Sequence, residues 1–385
     1  MKIELTPAQA EAQQSFRAFV DAEIMPHADE YDREERTPPE VIRRLAELGY
    51  LGATISEQYS GRGMDMVTFG LLCEELGRGS ISLLSLLTVH GMVTQALTKW
   101  GSPAQREHWL PKLATGEVIG ALGLTEPNIG SDAKSIESSA VLTGDSYLLN
   151  GRKKWISFGQ VADLFLIIAQ CEGKPSAFLV ERKDPGFSSK PISGMLGFRS
   201  AMLAELHLDD CRIPSENLVA RVGFGFSHVI GSALDYGRYC VGCGCVGLGQ
   251  ACLEASVSYV NKRKQFGSYL REHQLIQQMI ANMITSIKAA RLLNYSAGYL
   301  KDTGDPDTIM ETSIAKYFAS QMVNRVAQDA VQIHGAAGCS SEYPVQRYLR
   351  DAKIMEIIEG STQIQQIIIS TYGCMKLARK KRTKT

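Results

Sequence analysis

Apolar positions recur along this chain with one period, then a second, then the first again. Over residues 1–118 they return every three or four positions, as in "VIRRLAEL", "MVTFGLLCEELGRG" and "SLLSLLTVHGMVTQALTKWG", the spacing of one helix face. Thr6-Pro7, Thr37-Pro38-Pro39 and Ser102-Pro103 mark helix starts, and Gly49 and Gly116 mark ends, because Pro suits a first turn and Gly the position after a last one. From about 119 to 222 the period is two. "SSAVLTGDSYLLNGRKKWI", "DLFLIIAQC", "SAFLVER" and "LAELHLDDCRI" are rich in strand formers and bounded by Gly, Pro and Asp. No helical segment separates them, which predicts an antiparallel barrel or sandwich. Helical spacing returns near 224–262, 272–302, 306–335 and 362–378, which predicts a four-helix bundle. The expected fold is mainly α with a central antiparallel β-barrel. It has an N-terminal helical domain over 1–118, a middle β-barrel domain over 119–222 and a C-terminal four-helix bundle domain over 223–385.

Charge narrows the function classes. Lys and Arg total 41 against 41 Asp and Glu, so the chain has no net field to attract nucleic acid. The one basic run, "KLARKKRTKT", reads as a solvated tail. There is no uninterrupted run of about 18 apolar residues, so no membrane span is expected. "MKIELTPAQAEAQQSF" has no apolar signal core, and nine cysteines without a framework fit the reduced thiols of a cytoplasmic location.

One stretch carries two motifs at once. "GRYCVGCGCVGLGQAC" (237–252) spells G-x-G-x-x-G and holds Cys240, Cys243, Cys245 and Cys252. A dinucleotide fingerprint needs a strand before it, whereas "FGFSHVIGSALDY" reads as helix. Seven residues along a helix span about 10 Å, so these four thiols do not converge on a metal. Gly242, Gly244, Gly247 and Gly249 each cost a helix about 1 kcal/mol. They imply that another helix or a flat ligand comes close.

Chemistry sits in four other stretches. "GLTEPNIGSDAKS" (123–135) offers Thr125, Ser131 and backbone N–H groups to a heteroaromatic ring. "KKWISFG" (153–159) sets Trp155 beside Ser157, and "NKRKQFGSYLREHQ" (261–274) joins two helices with a basic run. In "QRYLRDAKIMEIIEGSTQIQQI" (346–367), Glu359 precedes Gly360 and a Thr362-x-x-Gln365 capping box. A carboxylate just before a helix start meets the positive end of the dipole, which favours its ionised form and makes it a candidate base.

In this order the four stretches resemble the acyl-CoA dehydrogenase family over nearly the whole chain. The resemblance implies FAD bound between domains and across a subunit boundary, in a homotetramer or dimer. It implies that Thr125 and Ser131 contact the flavin, that Trp155 packs on its ring and that Ser157 bonds near N5. Arg263, Phe266, Gln274 and Gln332 would reach the ADP part of a neighbour's FAD. Glu359 would be the α-proton base, with Arg238 close by and Ser361 and Gln363 near the cofactor. One branch of the family carries its Glu immediately before that Arg, where this chain has Gly237. The implied reaction is dehydrogenation of an acyl-CoA or acyl-carrier protein, with electrons passed to an electron-transfer flavoprotein.

Departures from the pattern are Ile129, Ala336, Ile358 and Ser361. In "FRSAMLAELHL" (198–208), Met202 and Leu203 stand where many members have Ser and Thr. That resembles members whose acyl group rides on a carrier protein in polyketide and nonribosomal pathways. An oxygen-using oxidase or monooxygenase on the same fold, and a non-catalytic helical interaction protein, are the alternative readings.

Overall fold

The computed structural model describes the backbone of residues 4–382 and the side chains of residues 4–376; the end of the basic tail lies outside the described residues. Six α-helices come first: α1 (Pro7–Phe19), α2 (Ala28–Glu34), α3 (Pro39–Glu47), α4 (Met66–Gly79), α5 (Ile81–Trp100) and α6 (Pro103–Thr115). Their punctuation works as read at two starts. Thr6 and Ser102 each close a reciprocal capping box, with Gln9 and Gln105, ahead of a first-turn Pro. Gly116 ends α6 at φ 73°. Thr37 behaves differently: its hydroxyl donates to the Ser200 carbonyl and ties α3 to the middle region.

Eight strands follow: β1 (Gly120–Gly123), β2 (Ser139–Thr143), β3 (Ser146–Ile156), β4 (Leu164–Cys171), β5 (Lys174–Glu181), β6 (Phe187–Pro191), β7 (Ala204–Pro214) and β8 (Leu218–Val219). They form one sheet in the order β6-β7-β3-β2-β4-β5-β8, with β1 added against β4. This corrects the expected antiparallel barrel. The sheet is open, with β6 and β8 at its edges, and it is mixed: β1 runs parallel to β4, and β2 touches β4 in parallel. The absence of intervening helices predicts antiparallel neighbours only when consecutive strands pair. Here the β2–β3 hairpin makes the crossover between β1 and β4, so no helix is needed. Leu164, Leu166 and Ile168 of β4 pack with Val93, Ala96 and Leu97 of α5 and Leu110 and Leu113 of α6. That contact seats the sheet on the first helical layer.

The last third holds α7 (Gly231–Val260), a small hairpin of β9 (Lys264–Gln265) and β10 (Ser268–Tyr269), then α8 (Gln274–Asp302), α9 (Thr308–His334), α10 (Val345–Met355) and α11 (Thr362–Arg382). α10 adds a fifth helix to the expected four. α5 and Gly225–Val260 are long and apolar enough to cross a membrane by length and composition, but 83% and 72% of their apolar windows are buried inside the fold. Neither holds an uninterrupted apolar run, because Ser, Thr and Gly punctuate both. They are the core helices of the molecule.

The glycine-rich stretch lies inside α7, and helices are what approach it. A Cβ on Gly77 of α4 would sit 2.6 Å from the Gly244 backbone, and one on Gly247 would sit 1.8 Å from the Glu74 carbonyl oxygen. At Gly242 the close neighbour is a side chain, Asn294 Oδ1 of α8, 2.3 Å from where a Cβ would stand. The cysteines of this stretch are buried as free thiols, and burial pushes those of Cys243, Cys245 and Cys252 up. They behave as small core side chains.

Candidate functional site

A cavity of about 770 Å³ opens where α5, the sheet, α7 and the α10–α11 connection meet. Thr125, Ser131, Trp155, Ser157, Arg238, Glu359 and Ser361 all line it. Thr125 and Ser131 sit in the loop between β1 and β2, and Trp155 and Ser157 at the end of β3. The Lys154 N–H donates to the Thr125 carbonyl at 2.8 Å, stitching the two stretches together. Beneath them, Lys153 Nζ lies 2.6 Å from Glu126 Oε1, with side chains 0% and 2% exposed. Glu126 also accepts from the N–H groups of Glu137 and Ser138 and from the Ser138 hydroxyl. Burial would raise the Glu126 carboxyl, but Lys153 and these donors outweigh it and hold it low. Burial brings the Lys153 ammonium down to about 8. Trp155 adopts φ 64° and stays 46% exposed, its ring under the Lys154 ammonium.

Glu359 is presented by a strained turn. Glu359 at φ 56° and Gly360 at φ 88° are consecutive left-handed residues, a conformation that costs a side-chain-bearing residue about 1–2 kcal/mol. The turn is held by its carbonyls. Glu359 O accepts from Arg238 Nε at 3.1 Å and Gln365 Nε2 at 3.0 Å. Gly360 O accepts from Lys316 Nζ at 3.0 Å and Gln365 Nε2 at 3.3 Å. Glu359 itself is only partly buried, because one side faces the cavity. Its Oε2 atom is closed off from solvent and has no hydrogen-bond partner. A Cβ on Gly237 would stand 2.5 Å from that oxygen, so the glycine makes room for the carboxylate. Burial pushes the Glu359 carboxyl up to about 7, opposed by Arg238 and Lys316. The expected control by the α11 dipole is therefore overridden by desolvation.

Family models for acyl-CoA dehydrogenases match the chain in three consecutive blocks: the N-terminal domain at 6–117, the middle domain at 121–211 and the C-terminal domain at 223–372. The chain belongs to the acyl-CoA dehydrogenase family. It is similar to a glutaryl-CoA dehydrogenase from Desulfococcus multivorans, 39% identical over 93% of this chain and 94% of that protein. Its fold is similar to that of butyryl-CoA dehydrogenase from Megasphaera elsdenii, with a TM-score of 0.93, 34% identity and coverage of 97% and 99%. It is also similar to the prolyl acyl carrier protein oxidase AnaB, with a TM-score of 0.91, 27% identity and coverage of 96% and 99%. As an acyl-CoA dehydrogenase, the protein is an FAD-dependent oxidoreductase acting on the CH–CH bond of acyl thioesters.

Of the residues singled out in the sequence, seven meet at this acyl-CoA dehydrogenase cavity and five lie elsewhere. Arg263, Phe266, Gln274, Gln332 and Gln363 are exposed and do not line it. Phe266, 97% exposed, forms the turn of the β9–β10 hairpin with Gly267. Arg263 lines a separate cleft with Tyr259, His334 and Tyr343. The start of α11 is also corrected. Ser361, and not Thr362, accepts the Ile364 N–H, while Gln365 reaches back to the two turn carbonyls instead of closing a capping box. Of the apolar loop, Leu203 lines the cavity and Ala201 and Met202 are buried.

Three supporting residues went unread in the sequence. Glu126 and Lys153 stood inside stretches already singled out, but their pairing spans 27 positions. Lys316 had a visible signal: a lone Lys on the apolar stripe of α9, one turn from Thr312 and Ala319, all 0% exposed.

Proposed function

We propose that the chain dehydrogenates a thioester with an apolar, uncharged acyl group, and that Glu359 takes the α-proton. The observation that supports this is the Glu359 carboxyl: the residue lines the cavity that Thr125, Ser131, Trp155 and Ser157 share, and its Oε2 atom is withdrawn from solvent with no hydrogen-bond donor. A base whose pKa lies near the working pH combines ionisation with proton affinity.

The residues present fit FAD. An exposed indole, two hydroxyl-bearing stretches and a cavity of about 770 Å³ suit a tricyclic ring with polar edges. FAD, when bound, supplies the acceptor for the hydride that leaves the β-carbon. Thr125, Ser131, Trp155 and Ser157 would hold its ring. Arg263, Phe266, Gln274 and Gln332 would hold the ADP part of a neighbouring subunit's FAD, so the working unit is a homo-oligomer, proposed as a tetramer. Arg238 stays on the Glu359 carbonyl and fixes the turn while the carboxylate accepts the proton. Among the described residues the Glu359 N–H has no acceptor. It would donate to the thioester oxygen as enolate-like charge develops there.

The lining of the acyl wall supports an apolar substrate class. α5 contributes Ile81, Leu84, Ser85, Thr88 and Met92, and α7 contributes Leu234 and Val241. The Ser85 and Thr88 hydroxyls are spent on the Ser82 and Leu84 carbonyls of their own helix. Arg238 is the sole cation among the described lining residues, and Glu359 engages it. No lysine or second arginine among the described lining residues stands ready to pair with a second carboxylate. Anaerobic flavin bleaching with butyryl-CoA, hexanoyl-CoA and glutaryl-CoA tests this. The apolar substrates should bleach the flavin, and glutaryl-CoA should do so at least about tenfold more slowly, since stranding a charge costs more than about 1.4 kcal/mol. Fastest bleaching by glutaryl-CoA would overturn the assignment. The likeness to AnaB supports a second reading, in which the acyl group rides on a carrier protein and oxygen replaces the electron-transfer flavoprotein. Faster bleaching by acyl-carrier protein, followed by rapid reoxidation in air, would select it.

A further inference from the structure

α9 carries a buried cation that the roles above leave unused. Lys316 is 0% exposed. Among the described residues no carboxylate lies within ion-pair distance of it, and its ammonium donates to the Gly360 carbonyl at 3.0 Å. A buried ammonium is costly unless it is paired. A core position that needed only volume would be filled better by Met or Leu. The groups acting on Lys316 come from two directions. α7 presents Arg238 and Cys245, and the α10–α11 connection presents Glu356 and Glu359; α8 and α11 contribute none of them. Glu356 has its own partner in Lys353. Glu359 has none at Oε2.

We propose that Lys316 is a positioning residue for Glu359: it pins the left-handed Glu359–Gly360 turn through the Gly360 carbonyl and supplies the positive charge that lets the desolvated carboxylate stay ionised. The inference rests on the reading of Glu359 as the base. Two cations bracket the turn from separate helices, Arg238 on one carbonyl and Lys316 on the next. Neither neutralises the carboxylate by direct contact, so its oxygen is left free for a proton. Burial brings Lys316 down to about 8, and Cys245 and Glu359 oppose that fall. It therefore still carries most of its charge at the midpoint of Glu359 ionisation.

The direction of the effect follows. Removing the Lys316 charge leaves burial less opposed, so the Glu359 carboxyl rises further and is protonated at higher pH. The test is the pH profile of anaerobic flavin reduction at saturating substrate in Lys316→Met, Lys316→Gln and Lys316→Arg holoenzymes. Lys316→Met and Lys316→Gln should move the acid limb up by about one pH unit or more, the lower end of what a nearby cation produces. Lys316→Gln, which retains a donor for Gly360, should lose less maximal rate than Lys316→Met. Lys316→Arg should keep the wild-type acid limb. An unmoved limb in the neutral variants, with or without a slower plateau, would overturn the proposal. So would failure of both neutral variants to fold while Lys316→Arg is native, because the charge would then serve stability alone. Glu359→Gln is run alongside. Reduction at wild-type rate in that variant would reject Glu359 as the base, a result distinct from an unmoved limb.

Discussion

Glu126 and Glu359 are both carboxylates drawn away from solvent near the same cavity, and the fold treats them in opposite ways. Glu126 has a buried lysine at 2.6 Å and three further donors. Its charge is fully compensated and its carboxyl stays low. Glu359 has two cations nearby, but both are spent on backbone carbonyls, and Oε2 is left without a donor. Its carboxyl rises to about 7. Saturating a buried carboxylate yields a rigid support; holding its backbone while leaving its oxygen bare yields a base. The support underlies the stretches that carry Thr125, Ser131, Trp155 and Ser157, and the bare oxygen belongs to the residue proposed as the base.

Breaking the saturated side should have the largest effect on stability. Lys153→Met strands Glu126 in the interior, which typically costs about 3–5 kcal/mol, read by denaturant unfolding of the holoenzyme. Lys153→Met with Glu126→Leu should recover most of that loss, because an apolar replacement for a buried pair is often close to neutral. A single-mutant cost below about 1 kcal/mol would mean that the pair is not the support described here.

The unsaturated side should show itself in the pH dependence of the wild type. A carboxylate acts as a base only when ionised, so flavin reduction should be lost as pH falls through the Glu359 value, near 7. Well below it the loss should be about tenfold per pH unit. A carboxyl compensated like Glu126 would keep its rate down to the ordinary carboxylate range, near 4. An acid limb there would erase the contrast between the two residues.

The legibility of the chain divides along the same line between local and distant chemistry. Helix starts at Thr6 and Ser102 and the end at Gly116 were readable because a cap involves three or four consecutive residues. The β2–β3 hairpin is local in the same sense, with Thr143-Gly144-Asp145 between two apolar runs. The parallel pairing of β1 with β4 joins residues 44 apart, from Gly120 to Leu164, and periodicity carries no record of it. The site was legible where a motif itself enters the cavity, as at Thr125, Trp155 and Glu359. At α11 the cap lies at Ser361 and not at Thr362, and Gln365, expected as the capping-box partner, supports the turn carbonyls instead. The supports themselves, Glu126 with Lys153 and Lys316 with Gly360, are contacts made only by the folded chain. A lysine on an apolar stripe was the one trace they left.

The most direct test of the central claim is stopped-flow bleaching of the flavin in Glu359→Gln at saturating acyl thioester under anaerobic conditions. Glutamine keeps the size of the side chain and its place beside Gly237, but it cannot accept the α-proton. General-base loss is typically worth about 10²–10⁴ in rate. The variant should fold, retain FAD and bind substrate, while flavin reduction slows at least about a hundredfold. Reduction at near wild-type rate would contradict this, placing the base elsewhere and leaving the bare oxygen of Glu359 without a chemical role.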